Sequence, residues 1–313
     1  MTKAFVFPGQ GSQTVGMGKS MTDAFPEARH VFEEVDDALG EKLSAIIFEG
    51  PEDILTLTQN AQPAIMATSM AIFRVLEKEV GLSLKEAAAF VAGHSLGEYT
   101  ALAAAGSLTL ADTARLLRLR GQAMQQAVPA GEGAMAAIIG PELDVVQAIA
   151  KDAAQGEICT VANDNSPGQV VVSGHKAAVE RACELAKEKG AKRALLLQVS
   201  APFHCPLMQP AADAMEEALA SASIQAPCVP LIANVTAEAV SDADSIRRLL
   251  VEQVTGRVRW RESVAYMAAQ GVTETVEVGV GKVLTGLTRR INRDMEAACI
   301  QSPEDLDGFA KAA

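Results

Sequence analysis

The sequence predicts an α/β protein: a mainly parallel sheet with helices on its faces, carrying an inserted ferredoxin-like unit of order β-α-β-β-α-β. Three observations predict it. Short apolar runs alternate with segments of helical period along most of the chain. Gly93-His94-Ser95-Leu96-Gly97 stands between an apolar run (Ala87–Ala92) and a helix-forming one (Glu98–Ala105). From Ala134 to Val199 the alternation tightens into two strand–helix–strand units in succession.

The first strand, Ala4–Phe7, ends in the loop Pro8-Gly9-Gln10-Gly11-Ser12-Gln13. Helices follow around Pro26–Leu39 and Ala61–Val80, then the strand into Ser95, then helices through Ala101–Ala105 and Leu110–Val128. Pro129-Ala130-Gly131-Glu132-Gly133 reads as a linker into the insert. There, strands at Ala134–Ile139, Cys159–Ala162, Gln169–Ser173 and Arg193–Val199 are interleaved with helices at Leu143–Asp152 and Ala177–Lys189. The domain reading is thus a large unit of residues 1–130 and 198–313 around a small one of residues 131–197. After Ser200 the large unit resumes, with a strand near Pro230–Asn234, a helix near Ala243–Val254, and a strand at Thr275–Val278 before a last helix.

Composition narrows the function. A chain of 313 residues, 49% hydrophobic, can bury a large core. Its 27 basic and 39 acidic side chains give a net charge of −12, which argues against nonspecific binding of nucleic acid or anionic membranes as the main activity. Five cysteines without a C-x-x-C pair predict neither a disulfide framework nor a zinc site and fit a reducing cytoplasm. No metal is expected. The short apolar stretch before Pro8 is no export signal, and no run approaches the roughly 18 apolar residues that cross a bilayer.

G-x-S-x-G between a strand and a helix is a nucleophile elbow, a turn that pushes the serine hydroxyl out above the sheet and aims the following amides at the atom it attacks. Ser95 is therefore the expected nucleophile, and it needs a base. Of the four histidines, His30 lies on a charged amphipathic segment, His175 stands at a helix start where a loop or capping role serves, and His94 is expected to pack beneath the turn. His204 remains, in a loop after a strand, where catalytic groups collect. No histidine follows it, so the order Ser, acid, late His of α/β-hydrolases does not fit. The economical reading is a Ser–His dyad whose imidazole is oriented by a neutral group.

Two further features keep alternatives open. Gly9-Gln10-Gly11 matches neither nucleotide template, because G-x-G-x-x-G would need glycine at Thr14 and the P-loop would need it at Gln13. The loop is either a plain turn or brings a backbone N–H to the elbow, completing an oxyanion hole with the N–H of Leu96. Arg120 lies in a helix with interleaved apolar and basic residues, where most arginines are solvated. Beside a serine nucleophile it would have one obvious use, a bidentate clamp on a substrate carboxylate.

Phe7-Pro8-Gly9-Gln10-Gly11-Ser12-Gln13, Gly93-His94-Ser95-Leu96-Gly97-Glu98-Tyr99, Asn165-Ser166-Pro167-Gly168-Gln169 and Phe203-His204 together resemble the malonyl-CoA:acyl carrier protein transacylases of bacterial type II fatty acid synthesis. The resemblance covers nearly the whole chain and implies an α/β-hydrolase-like large subdomain with a ferredoxin-like small one. It implies ping-pong transfer of malonyl from malonyl-CoA to Ser95 and then to the phosphopantetheine thiol of holo-acyl carrier protein, with no permanently bound cofactor. It further implies His204 as base and acid, the N–H groups of Gln10 and Leu96 as oxyanion hole, Arg120 on the malonyl carboxylate, Gln253 orienting the histidine, and Phe203 crowding out a 2-methyl branch. Gly279-Val280-Gly281 departs from the Gly-Pro-Gly expected there, away from any catalytic role.

An acidic carrier would be repelled by a chain of charge −12 unless a local basic patch receives it. Lys192-Arg193, Arg257/Arg259/Arg261 and Arg289-Arg290 are the candidates. The rival readings are a serine esterase or thioesterase, with water as acceptor, and a noncatalytic docking protein that keeps the fold.

Overall fold

The structure, a computed structural model, describes residues 2–312. Its strands are β1 (Lys3–Phe7), β2 (Ala88–Gly93), β3 (Gly133–Ile139), β4 (Cys159–Ser166), β5 (Gln169–His175), β6 (Arg193–Leu196), β7 (Leu231–Ile232), β8 (Ala239–Val240), β9 (Glu274–Val278) and β10 (Glu296–Ile300). They form a six-stranded sheet of order β10-β9-β1-β2-β7-β8 and a four-stranded one of order β4-β5-β3-β6. All pairs in the large sheet are parallel except β7–β8, whereas every pair in the small sheet is antiparallel. The small sheet has the ferredoxin-like order, with helices Leu143–Ala154 and Lys176–Glu188 as its crossovers. The mixed α/β fold is therefore the one the sequence predicts.

β1 is central, and its alternating side chains divide the core. Phe5 and Phe7 face the cluster built on helices Thr58–Glu79 and Leu110–Gln126, while Ala4 and Val6 join Trp260, Val264 and Leu284 on the opposite face. In the small sheet Ile138, Val170 and Val172 meet the two crossover helices. Its other face gives Met135 and Val171 to the main core. β4 of the small sheet is also bonded to the segment around Val258 and Arg261 of the large unit. Val258 N–H donates to Ala162 (2.8 Å), Asp164 N–H to Val258 (2.9 Å), and Arg261 Nε to Asp164 Oδ2 (2.9 Å).

Helix Thr58–Glu79 begins three residues earlier than the pattern suggests and contains Pro63. The carbonyl that Pro63 leaves without an N–H, that of Gln59, accepts from Arg118 instead (2.6 Å). The helix expected around Ala101–Ala105 is the end of a longer one, Gly97–Ala104. β6 stops at Leu196, short of the expected Val199, because the chain turns out of the sheet toward the cleft. The strand expected at Pro230–Asn234 shrinks to two residues, β7. The helix after β9, Val283–Ile291, is not the last element: β10 and helix Pro303–Ala312 follow. β10 is an edge strand of small and polar residues (Glu-Ala-Ala-Cys-Ile), without the alternation that marks a half-buried strand. No described helix is long and apolar enough to cross a membrane.

Candidate active site

The carboxyl ends of β1, β2 and β7 open into the cleft between the sheets, the edge where parallel α/β sheets bind ligands. A cavity of about 340 Å³ there is lined by Gln10, His94, Ser95, Leu96, Arg120, Phe203 and His204, among others. Six of the seven sequence-predicted site residues thus share one cavity wall, and Gln253 lies directly behind it.

Ser95 sits at the tip of the elbow with φ 54°, a left-handed conformation that a non-glycine residue adopts only when its surroundings hold it there. Gly93 and Gly97 supply room. A Cβ on Gly93 would stand 1.9 Å from the Gly97 carbonyl, and one on Gly97 would stand 2.3 Å from the Phe7 carbonyl oxygen. Asn234, just past β7, staples the turn: its Oδ1 accepts from Ser95 N–H (2.8 Å) and its Nδ2 donates to the Gly93 carbonyl (2.7 Å).

His204 Nε2 is 2.8 Å from Ser95 Oγ. Its Nδ1 faces two carbonyls, those of Gln253 (2.8 Å) and Gly256 (3.1 Å), which can only accept. The proton therefore resides on Nδ1, and Nε2 presents its lone pair to the serine hydroxyl. The orienter is neutral, and it is the main chain of Gln253 rather than its side chain. Burial, aided by the Arg120 charge, pushes His204 down from an ordinary value of 6.5 to about 3, so the imidazole is neutral at physiological pH and its Nε2 lone pair is free to accept.

That shift links pH to stability. Between about 3 and 6.5 the unfolded chain binds a proton at His204 that the folded chain refuses. Stability is whole above the upper value and falls as pH drops toward the lower one, at up to about 1.4 kcal/mol per pH unit. His204→Gln should lose about 2–3 kcal/mol less than the wild type between about pH 6 and pH 4 in urea melts. Parallel pH profiles would refute the assignment.

Arg120 is 1% exposed. Its Nη1 donates to Gln62 Oε1 (2.8 Å), and its Nη2 to Gln253 Oε1 (2.7 Å) and Ser95 Oγ (3.1 Å). Every one of these acceptors is neutral, and Nε has no partner among the described residues. The main-chain N–H groups of Gln10 and Leu96 likewise donate to no group of the described chain. Helix Gly97–Ala104 starts beside Ser95, so its positive end favours an anion at this point.

The side chains of the remaining histidines bond to groups other than Ser95 or face solvent. His30 is exposed. His175 occupies a helix N-cap position, but its Nδ1 accepts from Ile158 N–H (2.9 Å) and does not cap its own helix. His94 does more than pack beneath the turn. Its Nε2 is 2.9 Å from Asn165 Oδ1, its ring lies 5.7 Å from that of Trp260, and it lines the cavity. Asn234 and Glu98 are the residues that sequence reasoning missed. The readable signal for Glu98 was a lone charge in the otherwise apolar and small stretch Gly97–Ala104.

Among the basic clusters, Arg259 and Arg257 pair with Glu262, and Arg261 pairs with Asp164. Arg290 donates to Gln169 Oε1 (2.6 Å) and Arg289 to the Ala297 carbonyl (3.0 Å). Lys192 and Arg193 are exposed at the start of the segment whose continuation, Leu197–Val199, lines the cavity.

Residues 4–301 match the family described as Acyl transferase domain. The chain is 49% identical over 303 residues to the malonyl CoA-acyl carrier protein transacylase of Escherichia coli (strain K12), covering 97% of each chain. The structure of acyl-carrier-protein-S-malonyltransferase from Bartonella henselae superposes with a TM-score of 0.97 at 58% identity, covering 100% of this chain and 99% of that one. A type II PKS acyl-carrier protein in complex with its malonyl-transacylase gives a TM-score of 0.97 at 44% identity, covering 100% of both chains.

Proposed function

The chain belongs to the acyl transferase family, and on that footing we propose that it moves malonyl from malonyl-CoA to the phosphopantetheine thiol of holo-acyl carrier protein, supplying the extender unit for fatty acid synthesis. The observation that carries the choice of cargo is Arg120: a buried guanidinium bonded only to neutral groups, with Nη2 3.1 Å from the Ser95 hydroxyl. A cation so placed awaits an anionic group on whatever is joined to that oxygen.

The reaction runs in two halves. His204 Nε2 takes the Ser95 proton as Oγ attacks the thioester carbonyl, and the oxyanion is received by the N–H groups of Gln10 and Leu96. Collapse expels coenzyme A, whose sulfur takes the proton back from His204 and leaves a malonyl ester on Ser95. The carrier thiol then gives its proton to His204 and attacks the ester, and a second collapse restores the Ser95 hydroxyl. Gln253 holds His204 through its carbonyl and Arg120 through its side chain. No resident cofactor takes part, since coenzyme A and phosphopantetheine arrive as portions of the substrates. The catalytic unit is residues 1–130 and 198–313, with residues 131–197 closing the cleft. Five free thiols accord with a cytoplasmic setting.

Incubation with malonyl-CoA alone, followed by mass spectrometry, should give a malonyl adduct on Ser95 that disappears on adding holo-carrier as malonyl-carrier forms. Rapid release of free malonate would mark a hydrolase, and no adduct would mark a docking protein. Phe203, lining the same cavity, is assigned to crowding a 2-methyl branch. Methylmalonyl-CoA should therefore load at least about tenfold more slowly than malonyl-CoA, and equal rates would remove that role.

A further inference from the structure

Glu98 is the second residue of helix Gly97–Ala104, and its side chain is 1% exposed. A carboxyl group is costly to keep there, and burial pushes it up to about 7. It forms no ion pair among the described residues. Its Oε2 instead accepts from Gln253 Nε2 (2.6 Å) and, more distantly, from Asn234 N–H (3.4 Å). The Gln253 amide is thereby held at both ends. Nε2 donates to Glu98 and to the Ser95 carbonyl (2.9 Å), while Oε1 accepts from Arg120 Nη2 (2.7 Å).

An amide can be turned over, and only one of its two orientations suits Arg120. Reversed, the NH2 group would meet the guanidinium donor to donor, and the oxygen would meet the Ser95 carbonyl and, when Glu98 is ionised, a carboxylate. Of the two acceptors that forbid the reversal, Glu98 makes the shorter bond, and when ionised the stronger one. The intervening amide has a second consequence. A direct Glu98–Arg120 salt bridge would occupy the guanidinium fork. Through Gln253 the carboxylate aims the arginine and leaves its charge free for an acyl carboxylate.

We propose that Glu98 is a positioning residue for acyl-group selectivity, fixing the Gln253 amide so that Arg120 stays aimed at the carboxylate of the group on Ser95. This rests on the malonyl-transfer reading above. His204 should stay in place, because it is held by main-chain carbonyls and not by the Gln253 amide.

The test is the ratio of kcat/KM for malonyl-CoA to that for acetyl-CoA, with holo-carrier as acceptor. Glu98→Ala should lower the ratio by about tenfold or more, chiefly through the malonyl arm. Glu98→Gln keeps an acceptor oxygen for Gln253 and should stay within about threefold of the wild type. A purely structural role would lower both arms together, and an unchanged ratio in Glu98→Ala overturns the proposal. Equal loss of the ratio in Glu98→Gln also overturns it. Should Glu98→Ala fail to fold, Gln253→Leu breaks the same relay from its other side, and an unchanged ratio there is equally fatal. A wild-type protein that transfers no malonyl would instead overturn the function itself, so the two failures are distinct.

Discussion

Replacing His204 with alanine should slow malonyl loading of Ser95 by about 10³- to 10⁴-fold, with the protein still folded. The size follows from what the serine would retain. Its hydroxyl would still lie 3.1 Å from Arg120 Nη2 and beside the free amides of Gln10 and Leu96, so stabilisation of the developing oxyanion survives. Proton removal does not. Nε2, 2.8 Å away, is the basic nitrogen bonded to that hydroxyl, and no carboxylate among the described residues bonds to it instead. Stopped-flow or quenched-flow measurement of the malonyl-Ser95 adduct isolates this step from carrier binding. A loss below about tenfold would mean that the proton leaves by another route.

Arg120→Ala should cut kcat/KM for malonyl-CoA by roughly 10²- to 10³-fold, as expected for losing charge-assisted bonds to a buried carboxylate. Acetyl transfer, which has no carboxylate to lose, should fall much less, so discrimination between the two collapses. Arg120→Lys should restore only part of the difference. A lysine carries the charge but not the planar fork that bonds Gln62, Gln253 and Ser95 at once. Unchanged malonyl kinetics in Arg120→Ala would sink the clamp. Acetyl and malonyl rates falling in step would show that the arginine serves the dyad rather than the cargo.

The parts of the site legible in the sequence are those whose chemistry is local. G-x-S-x-G names its nucleophile because the turn needs two glycines within five residues, and their necessity is visible in the contacts each would make if it carried a Cβ. His204 could be found by elimination because only four histidines compete. The ferredoxin-like order was legible because its strands and helices follow one another closely. β10 was not, since a short edge strand of small residues carries no period. Nor was the staple. Asn234 meets Ser95 across 139 residues, and nothing near it in sequence marks it as the group that closes the elbow.

Gln253 shows the boundary between the two most clearly. The family resemblance pointed to this residue as the one orienting the histidine, but could not say with which atoms. In the fold its carbonyl holds His204, while its amide passes between Glu98 and Arg120. By itself the sequence determined an α/β chain with an insert and a serine elbow, and singled out the histidine that the fold brings to that serine. Only the tertiary structure decided that Arg120 reaches the same oxygen, that its partners are all neutral, and that the Gln253 amide stands between it and buried Glu98. The physical reason is that hydrogen bonds and burial depend on distances across 25 to 158 residues of chain. Local patterns set which elements form. The charge left free at Ser95 arises only where four helices, those carrying Gln62, Glu98, Arg120 and Gln253, converge on the elbow.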